Sequence, residues 1–378
     1  MKVLIAAGGT GGHVFPALAI ARALQGKGQG VEVEFVGTGE GMEAEWLRSA
    51  GYPLHQVKIR GLKGRRGMPL LSSLGILPQA FFRSWKILSK IRPDVTVGVG
   101  GYVSGPVVLL SVLRGIPTLV HEQNAFPGLT NRLLAPFVNL IAYSFPESVR
   151  YLGRGKKVAF TGNPIRREIL GGERGEAATR FGLEPGRTTL LFFGGSQGSS
   201  KINRSLLEAL PHLLPLRERV QFLCACGERD LLAMREGFLR SGLLARIYPF
   251  IQDMASAYAL ADLVVSRAGA STVSELAALG KPSILVPYPH AANDHQRRNA
   301  EALARLGGAR IISDQDLDGF SLAKAITELF EDSRGREEMG RSAKSMALID
   351  ADDRLASLAM KIHRKRNSRS SAAGLASE

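Results

Sequence analysis

Short apolar runs rich in β-branched residues alternate along the chain with longer stretches whose apolar positions recur every three or four residues. That is the pattern of strand–helix–strand units around a parallel sheet. In the first half the strand-like runs are Lys2–Ala7, Val31–Val36, Leu54–Ile59, Asp94–Val99, Thr118–His121, Asn139–Tyr143 and Lys157–Phe160. Asn163-Pro164 breaks the alternation, and a polar, turn-rich stretch over 171–187 follows. The alternation resumes with Thr188–Phe193, Val220–Ala225, Ile247–Phe250, Leu263–Val265, Ile284–Val286 and Arg310–Ile312. The pattern predicts an α/β protein of two facing, doubly wound, Rossmann-like domains, 1–162 and 163–349, with the ligand loops at the carboxyl ends of the strands and the site in the cleft between the domains. A last helix over Ala351–Arg366 is expected to pack back on the first domain, and the Ser- and Ala-rich 367–378 to form a disordered tail.

Composition narrows the class. With 45% hydrophobic and 22% charged residues, 378 residues can form two cores and are not a disordered chain. The 43 glycines follow no G-X-Y period, so they belong to turns and to loops that bring backbone close to a ligand. The net charge of +15 is local. Arg48, Lys58, Arg60, Lys63, Arg65, Arg66, Arg83, Lys86, Lys90 and Arg92 fall between Trp46 and Pro93 without one acid, and Arg354 with Lys361 to Arg369, less the acid Glu378, supplies the rest. Two patches on a neutral body argue against a nucleic-acid partner. Cys224 and Cys226 lie in an apolar run, as reduced thiols of a cytosolic protein do, and a lone C-x-C pair is a poor metal site. No apolar run reaches the roughly 18 residues of a membrane span, and the apolar N-terminal stretch is too short for a signal segment.

Three glycine loops each leave a strand for a helix: Gly8-Gly9-Thr10-Gly11-Gly12-His13, Gly100-Gly101-Tyr102-Val103-Ser104-Gly105, and Gly194-Gly195-Ser196-Gln197-Gly198. Such loops aim backbone N–H groups and a helix N-terminus at an anion. Counted from Gly9, the third glycine of the dinucleotide fingerprint is replaced by Val14, which disfavours a nicotinamide cofactor. Three loops, with at least one in each domain, point to a phosphate-bearing ligand between the domains.

The segments GGTGGHVFPALAIA, GGYVSGP, HEQNAFPGLTN, TGNPIR, GGSQG and RAGASTVSE, followed by Asn293-Asp294-His295-Gln296, resemble the bacterial lipid-linked N-acetylglucosaminyltransferases of peptidoglycan synthesis, the MurG family. The match runs in order from about residue 2 to residue 350. The resemblance implies the GT-B fold and inverting transfer of N-acetylglucosamine from UDP-N-acetylglucosamine to the 4-hydroxyl of undecaprenyl-diphosphate-linked N-acetylmuramoyl-pentapeptide. It further implies a peripheral position on the cytoplasmic face of the inner membrane, an anionic phospholipid surface as partner, and contacts with other cell-wall or division proteins. For the donor it assigns Glu275 to the ribose hydroxyls, and Ala270, Ser271, Thr272, Val273 and Ser274 at a helix start, with Ser196, Thr10, Gly11 and Gly12, to the diphosphate and its surroundings. Arg166 is given the leaving phosphate, Phe250 and Ile251 the uracil, and Gln296 and Asn124 the sugar. Ser271 is also a good helix cap by residue type.

Inverting transfer needs a base for the acceptor hydroxyl and positive partial charge for the departing UDP. His13, at a helix start that favours a neutral imidazole, is the first candidate, with a phosphate clamp as its rival role. Glu122 is the second. Tyr102 and Ser104 are expected near the acceptor, and His121 to be a structural histidine. Metal is not demanded: Asp314-Gln315-Asp316 lies in a polar loop, so a divalent ion would act at most as a stimulant through the lipid diphosphate. The acid-free stretch carries Leu70, Leu74, Leu77, Phe81, Phe82 and Trp85, rimmed by Arg65, Arg66, Arg83 and Lys86, as an interfacial membrane contact requires. An ordinary core helix with a basic face is the plainer reading. A UDP-sugar epimerase of the same architecture is the alternative function.

Overall fold

The computed structural model describes residues 1–8, 11–39, 42–57, 68–153, 157–195 and 197–375, with 42–43, 68–77 and 367–375 described through the backbone alone. Its chain forms two units, Met1–Ile165 with Leu348–Glu378, and Arg166–Ala347.

Unit 1 runs β1 (Lys2–Ala6), α1 (Gly11–Gly26), β2 (Glu32–Gly37), α2 (Met42–Ser49), β3 (Leu54–Gln56), α3 (Met68–Ile91), β4 (Val95–Gly98), α4 (Ser104–Leu113), β5 (Thr118–Glu122), α5 (Leu129–Leu134), β6 (Leu140–Tyr143) and β7 (Val158–Phe160). The seven strands form one parallel sheet in the order β3-β2-β1-β4-β5-β6-β7. Central strands β4 and β5 are buried at every residue, which is why they read as continuous rather than alternating apolar runs.

Unit 2 runs α6 (Arg174–Phe181), β8 (Thr188–Phe193), α7 (Ser200–Leu213), β9 (Val220–Ala225), α8 (Leu231–Ser241), β10 (Ala245–Tyr248), α9 (Met254–Leu260), β11 (Leu263–Ser266), α10 (Ala270–Leu279), β12 (Ser283–Leu285), α11 (His295–Ala304), β13 (Arg310–Ile311), α12 (Gly319–Glu331) and α13 (Ser333–Lys344). Its six strands are again parallel, ordered β10-β9-β8-β11-β12-β13. The strand read as Ile247–Phe250 begins and ends two residues earlier, because Pro249 has no N–H to continue the ladder.

The last helix, α14 (Ala351–Leu375), belongs to unit 1. Leu355, Ala356 and Ala359 are fully buried among Val14, Leu18 and Ala21 of α1, and Lys27 pairs with Asp353 at 3.4 Å. Of the 367–378 tail expected to be disordered, 367–375 continue the helical backbone and 376–378 lie outside the described residues. Arg, Ser and Ala supply no breaker before Gly374, so a helix already anchored by its first turns propagates.

In both sheets the strand order reverses beside the first strand, between β1 and β4 and between β8 and β11. In doubly wound sheets this switch point, at the carboxyl ends, is where ligands bind.

Candidate functional site

At the switch point of unit 1 the first two glycine loops interlock. A side chain on Gly101, whose φ is +78°, would start 2.0 Å from the Gly8 carbonyl oxygen, so only glycine lets the two loops touch. The His13 ring, in the first turn of α1, lies against Gly100, where an added Cβ would meet its Cε1 at 3.0 Å. His13 therefore sits at the switch point, half-buried, with Tyr102 exposed nearby on the second loop.

Ser104 does not belong to an acceptor surface. It is fully buried, and its hydroxyl lies 2.9 Å from the Ala6 carbonyl and 2.7 Å from that of Gly100, tying β1 to the second loop. Glu122 is likewise enclosed. Oε1 accepts from the Asn124 N–H and Nδ2 at 2.9 and 3.3 Å, and Oε2 from the Gly128 N–H and Asn131 Nδ2 at 3.0 and 2.8 Å. Burial raises its pKa, while these donors pull the other way. A carboxylate holding four donors folds the 122–131 loop, with its lone-pair directions used inside the chain. Asn131, the last residue of the HEQNAFPGLTN segment, is the staple, bonding Glu122 and the His121 carbonyl. His121 is buried with Nε2 3.1 Å from both the Gly162 carbonyl and Ser144 Oγ. Burial lowers its pKa to about 4 against the pull of the Gly162 bond, so it is a neutral structural histidine.

At the switch point of unit 2 the third loop closes on the end of β9. A Cβ on Gly198, at φ +75°, would lie 2.1 Å from the Cys226 carbonyl oxygen. Ser199 caps α7 by accepting from the Ile202 N–H. Across the switch, α10 begins at Ala270 with Gly269 as its cap and no side-chain cap bond, which places Ser271 at the second helical position rather than at the cap. The N–H groups of Ala270, Ser271 and Thr272 precede the first intrahelical bond, Val273 N–H to the Gly269 carbonyl at 2.9 Å, and form an anion-facing helix start. Val273 leaves the contact set: it is fully buried and its N–H is used by that bond. Ser274, one residue on, is half-buried.

Glu275, 5% exposed, accepts at Oε1 from Arg166 Nε and Nη2 at 3.1 and 3.0 Å. Burial works against the Arg166 charge, yet Glu275 and Tyr258 lift its pKa above the ordinary value. Phe250 is exposed at the carboxyl end of β10, and Ile251 beside it is buried, so a base can lie on one and meet the backbone of the other. Gln296, second residue of α11, accepts at Oε1 from the Ala268 and Tyr288 N–H groups at 3.1 and 3.0 Å, which orients its amide. Asn293 and Asp294 before it both adopt left-handed backbone, with φ of 57° and 56°.

Arg267 heads the RAGASTVSE segment, but sequence reasoning gave it no role. Buried, it donates to the carbonyls of Val286 and Pro287, to Asp314 at 2.6 Å and to Ser199 Oγ at 2.9 Å, binding the third glycine loop to the ends of β11 and β12. Sequence reasoning likewise gave no role to Asn299, whose Nδ2 donates to the Ala268 carbonyl and helps hold the loop that feeds α10. A single arginine or asparagine has no local pattern, and their partners are far along the chain. Thr10, Arg65, Arg66 and Ser196 lie outside the described residues; Gly11 and Gly12 open α1, while Leu70, Leu74 and Leu77 lie on α3 where the backbone alone is described. Asn124 is at the carboxyl end of β5. A groove of about 770 Å³ lined by Arg187, Arg217, Arg235 and Arg246 lies at the amino ends of β8 to β10, the opposite end from the ligand loops.

On α3, Ala80, Ser84, Leu88 and Ile91 face inward, leaving Phe82 and Trp85 exposed with Lys86 over the Phe82 ring and Arg114 over that of Trp85. Phe81 and Arg83 are half-buried at the edge of this face. Leu113 at the end of α4 and Leu129, Leu133 and Phe137 on and after α5 are also exposed, and α4 packs against both α3 and α5. Among the described residues no helix is long and apolar enough to cross a membrane, and no group of three or more His, Cys, Asp or Glu side chains is arranged to hold a metal.

Residues 3–143 match the glycosyltransferase family 28 N-terminal domain and 189–355 the family 28 C-terminal domain. The chain is 45% identical over 366 residues, 97% of its length, to a UDP-N-acetylglucosamine--N-acetylmuramyl-(pentapeptide) pyrophosphoryl-undecaprenol N-acetylglucosamine transferase from Anaeromyxobacter sp. (strain K), covering 94% of that protein. A crystal structure of MurG from Acinetobacter baumannii is similar with a TM-score of 0.76 at 32% identity, covering 95% of this chain and 99% of that one. A UDP-GlcNAc 2-epimerase from Neisseria meningitidis shares the fold alone, with a TM-score of 0.68 at 14% identity, over 96% of this chain and 100% of that one. With two family 28 domains, both switch-point sites and near full-length identity of this order, the chain belongs to the MurG family of glycosyltransferases.

Proposed function

We propose that this chain transfers N-acetylglucosamine from its UDP conjugate to the 4-hydroxyl of N-acetylmuramoyl-pentapeptide on undecaprenyl diphosphate, with inversion. The observation that carries the reading is the set of groups in unit 2 around the carboxyl ends of its strands: Phe250 and Ile251 for a base, Glu275 for a ribose hydroxyl, the α10 start and Arg166 for a diphosphate, Gln296 for the sugar. The acceptor oxygen bonds to the anomeric carbon as the bond from that carbon to the UDP oxygen breaks. Arg166 and the α10 N–H groups take the charge of the departing UDP, and His13 takes the acceptor proton. Glu122 serves this chemistry by shaping the loop that presents Asn124. Arginine and helix dipole carry the charge here, and activity is expected to survive EDTA.

The acceptor's lipid keeps it in the bilayer, and the exposed face made by Phe82, Trp85, Leu113, Leu129, Leu133 and Phe137, rimmed by Arg83, Lys86 and Arg114, supports reversible docking on an anionic leaflet. The test is incubation with labelled UDP-N-acetylglucosamine and the muramoyl-pentapeptide lipid, followed by lipid extraction. Label in the lipid phase supports transfer. Conversion of the nucleotide sugar without lipid labelling would mark the epimerase reading instead.

A further inference from the structure

Glu275 is held from a second side by a residue outside every motif above. Tyr258, on α9, is fully buried, and its hydroxyl donates to Glu275 Oε2 at 2.9 Å, while both Arg166 bonds go to Oε1. A carboxylate offers about four lone-pair directions. These three bonds leave one, on Oε2, the oxygen that Tyr258 steers. The Tyr258 ring stands edge-on to Phe193, the last residue of β8, with centroids 6.1 Å apart, and α9 begins three residues after Ile251. One side chain thus links the base-reading segment, the strand that enters the third glycine loop and the carboxylate on α10. Burial and the adjacent Glu275 charge push the phenol's pKa well above its ordinary value, so the hydroxyl stays a donor at working pH.

We propose that Tyr258 is a positioning residue for donor specificity: by fixing Oε2 of Glu275 it aims the remaining lone pair at the ribose 2′-hydroxyl and makes the site distinguish ribo- from 2′-deoxyribonucleoside diphosphates. The proposal rests on the reading of Glu275 as the ribose acceptor. A site built to bond a hydroxyl rejects the analogue lacking it, because its buried acceptor is then left unpaired.

The full chain is titrated calorimetrically with UDP and with 2′-deoxyuridine 5′-diphosphate, and kcat and KM are measured for UDP-N-acetylglucosamine. The parent chain is expected to bind the ribo form about tenfold or more tightly. Tyr258→Phe removes the hydroxyl and keeps the ring on Phe193. The preference is expected to shrink to roughly a third or less, and the loss to fall on donor KM rather than kcat. An unchanged preference in a Tyr258→Phe chain with a cooperative melt overturns the proposal; if that variant does not fold, Tyr258→Met is read in the same way. Glu275→Gln separates the two levels. If it leaves the ribo preference intact, the ribose reading itself fails and the proposal with it; if it abolishes the preference while the Tyr258 variant keeps it, the positioning role alone is wrong.

Discussion

Replacing Glu122 with Gln removes one charge and two acceptor positions from the interior of unit 1. The carboxylate holds two pairs of donors, the Asn124 N–H with Asn124 Nδ2, and the Gly128 N–H with Asn131 Nδ2. Whichever way the amide sits, its NH₂ faces one pair, and two donors lose their acceptor. Hydrogen bonds to a charged group contribute about 1.5–3 kcal/mol each, and part of that loss is offset because the neutral amide costs less to bury. A net destabilisation of about 2–4 kcal/mol corresponds to a fall in Tm of about 5–12 °C for a unit of this size. The assay is a thermal melt by circular dichroism together with kcat measured well below the transition. Transfer by the folded variant is expected to fall by less than about tenfold, because loop geometry loosens while the base is elsewhere. A base removed outright costs about 10²–10⁴ in rate. A Tm within about one degree of the parent chain, combined with a rate loss in that range, would refute the loop role and return Glu122 to the chemistry.

Arg267→Met strips Asp314 and Ser199 of their shared donor and is expected to cost about 3 kcal/mol and to raise donor KM several-fold, as seen by melting and donor titration. Leu355→Ala opens a hole where α14 meets α1, with a cost of about 2–5 kcal/mol in a denaturant titration; no change would mean that α14 is not part of the core. His121 binds its proton at about pH 4 in the folded chain, below its ordinary 6.5. Its contribution to stability is complete above pH 6.5 and is lost as pH falls towards 4, up to about 3 kcal/mol. Urea unfolding of His121→Gln between pH 4 and 7 should show a shallower acid decline than the parent chain, and an equal slope would contradict the buried neutral ring.

The glycine loops were legible because their conformations restrict the residue type: a Cβ added at Gly101 or Gly198 would lie 2.0 or 2.1 Å from a carbonyl oxygen, which no side chain tolerates. The central strands of both sheets were legible because burial on both faces leaves continuous apolar runs. What escaped were the long-range partners of polar residues, whether inside a quoted motif, as Arg267 is, or outside all of them, as Tyr258 is. Arg267 meets Asp314 and Ser199, 47 and 68 positions away, and Tyr258 meets Glu275 seventeen positions on; nothing local records such pairings. Reading a motif as a row of contacts also overreached. A helix turns some of each motif inward, which is where Val273 and Ser104 went.

The return of α14 to unit 1 gives the two units different histories. A ribosome adds about 5–20 residues per second. The whole of 166–347 is therefore synthesised before the first residue of α14 exists. Until then the α1 face that receives Leu355, Ala356 and Ala359 stays open to water or to a chaperone. The unit begun first is sealed last, so a chain cut off before α14 leaves 166–347 intact and 1–165 unfinished. Possession of that helix is what distinguishes a finished enzyme from a well-folded half.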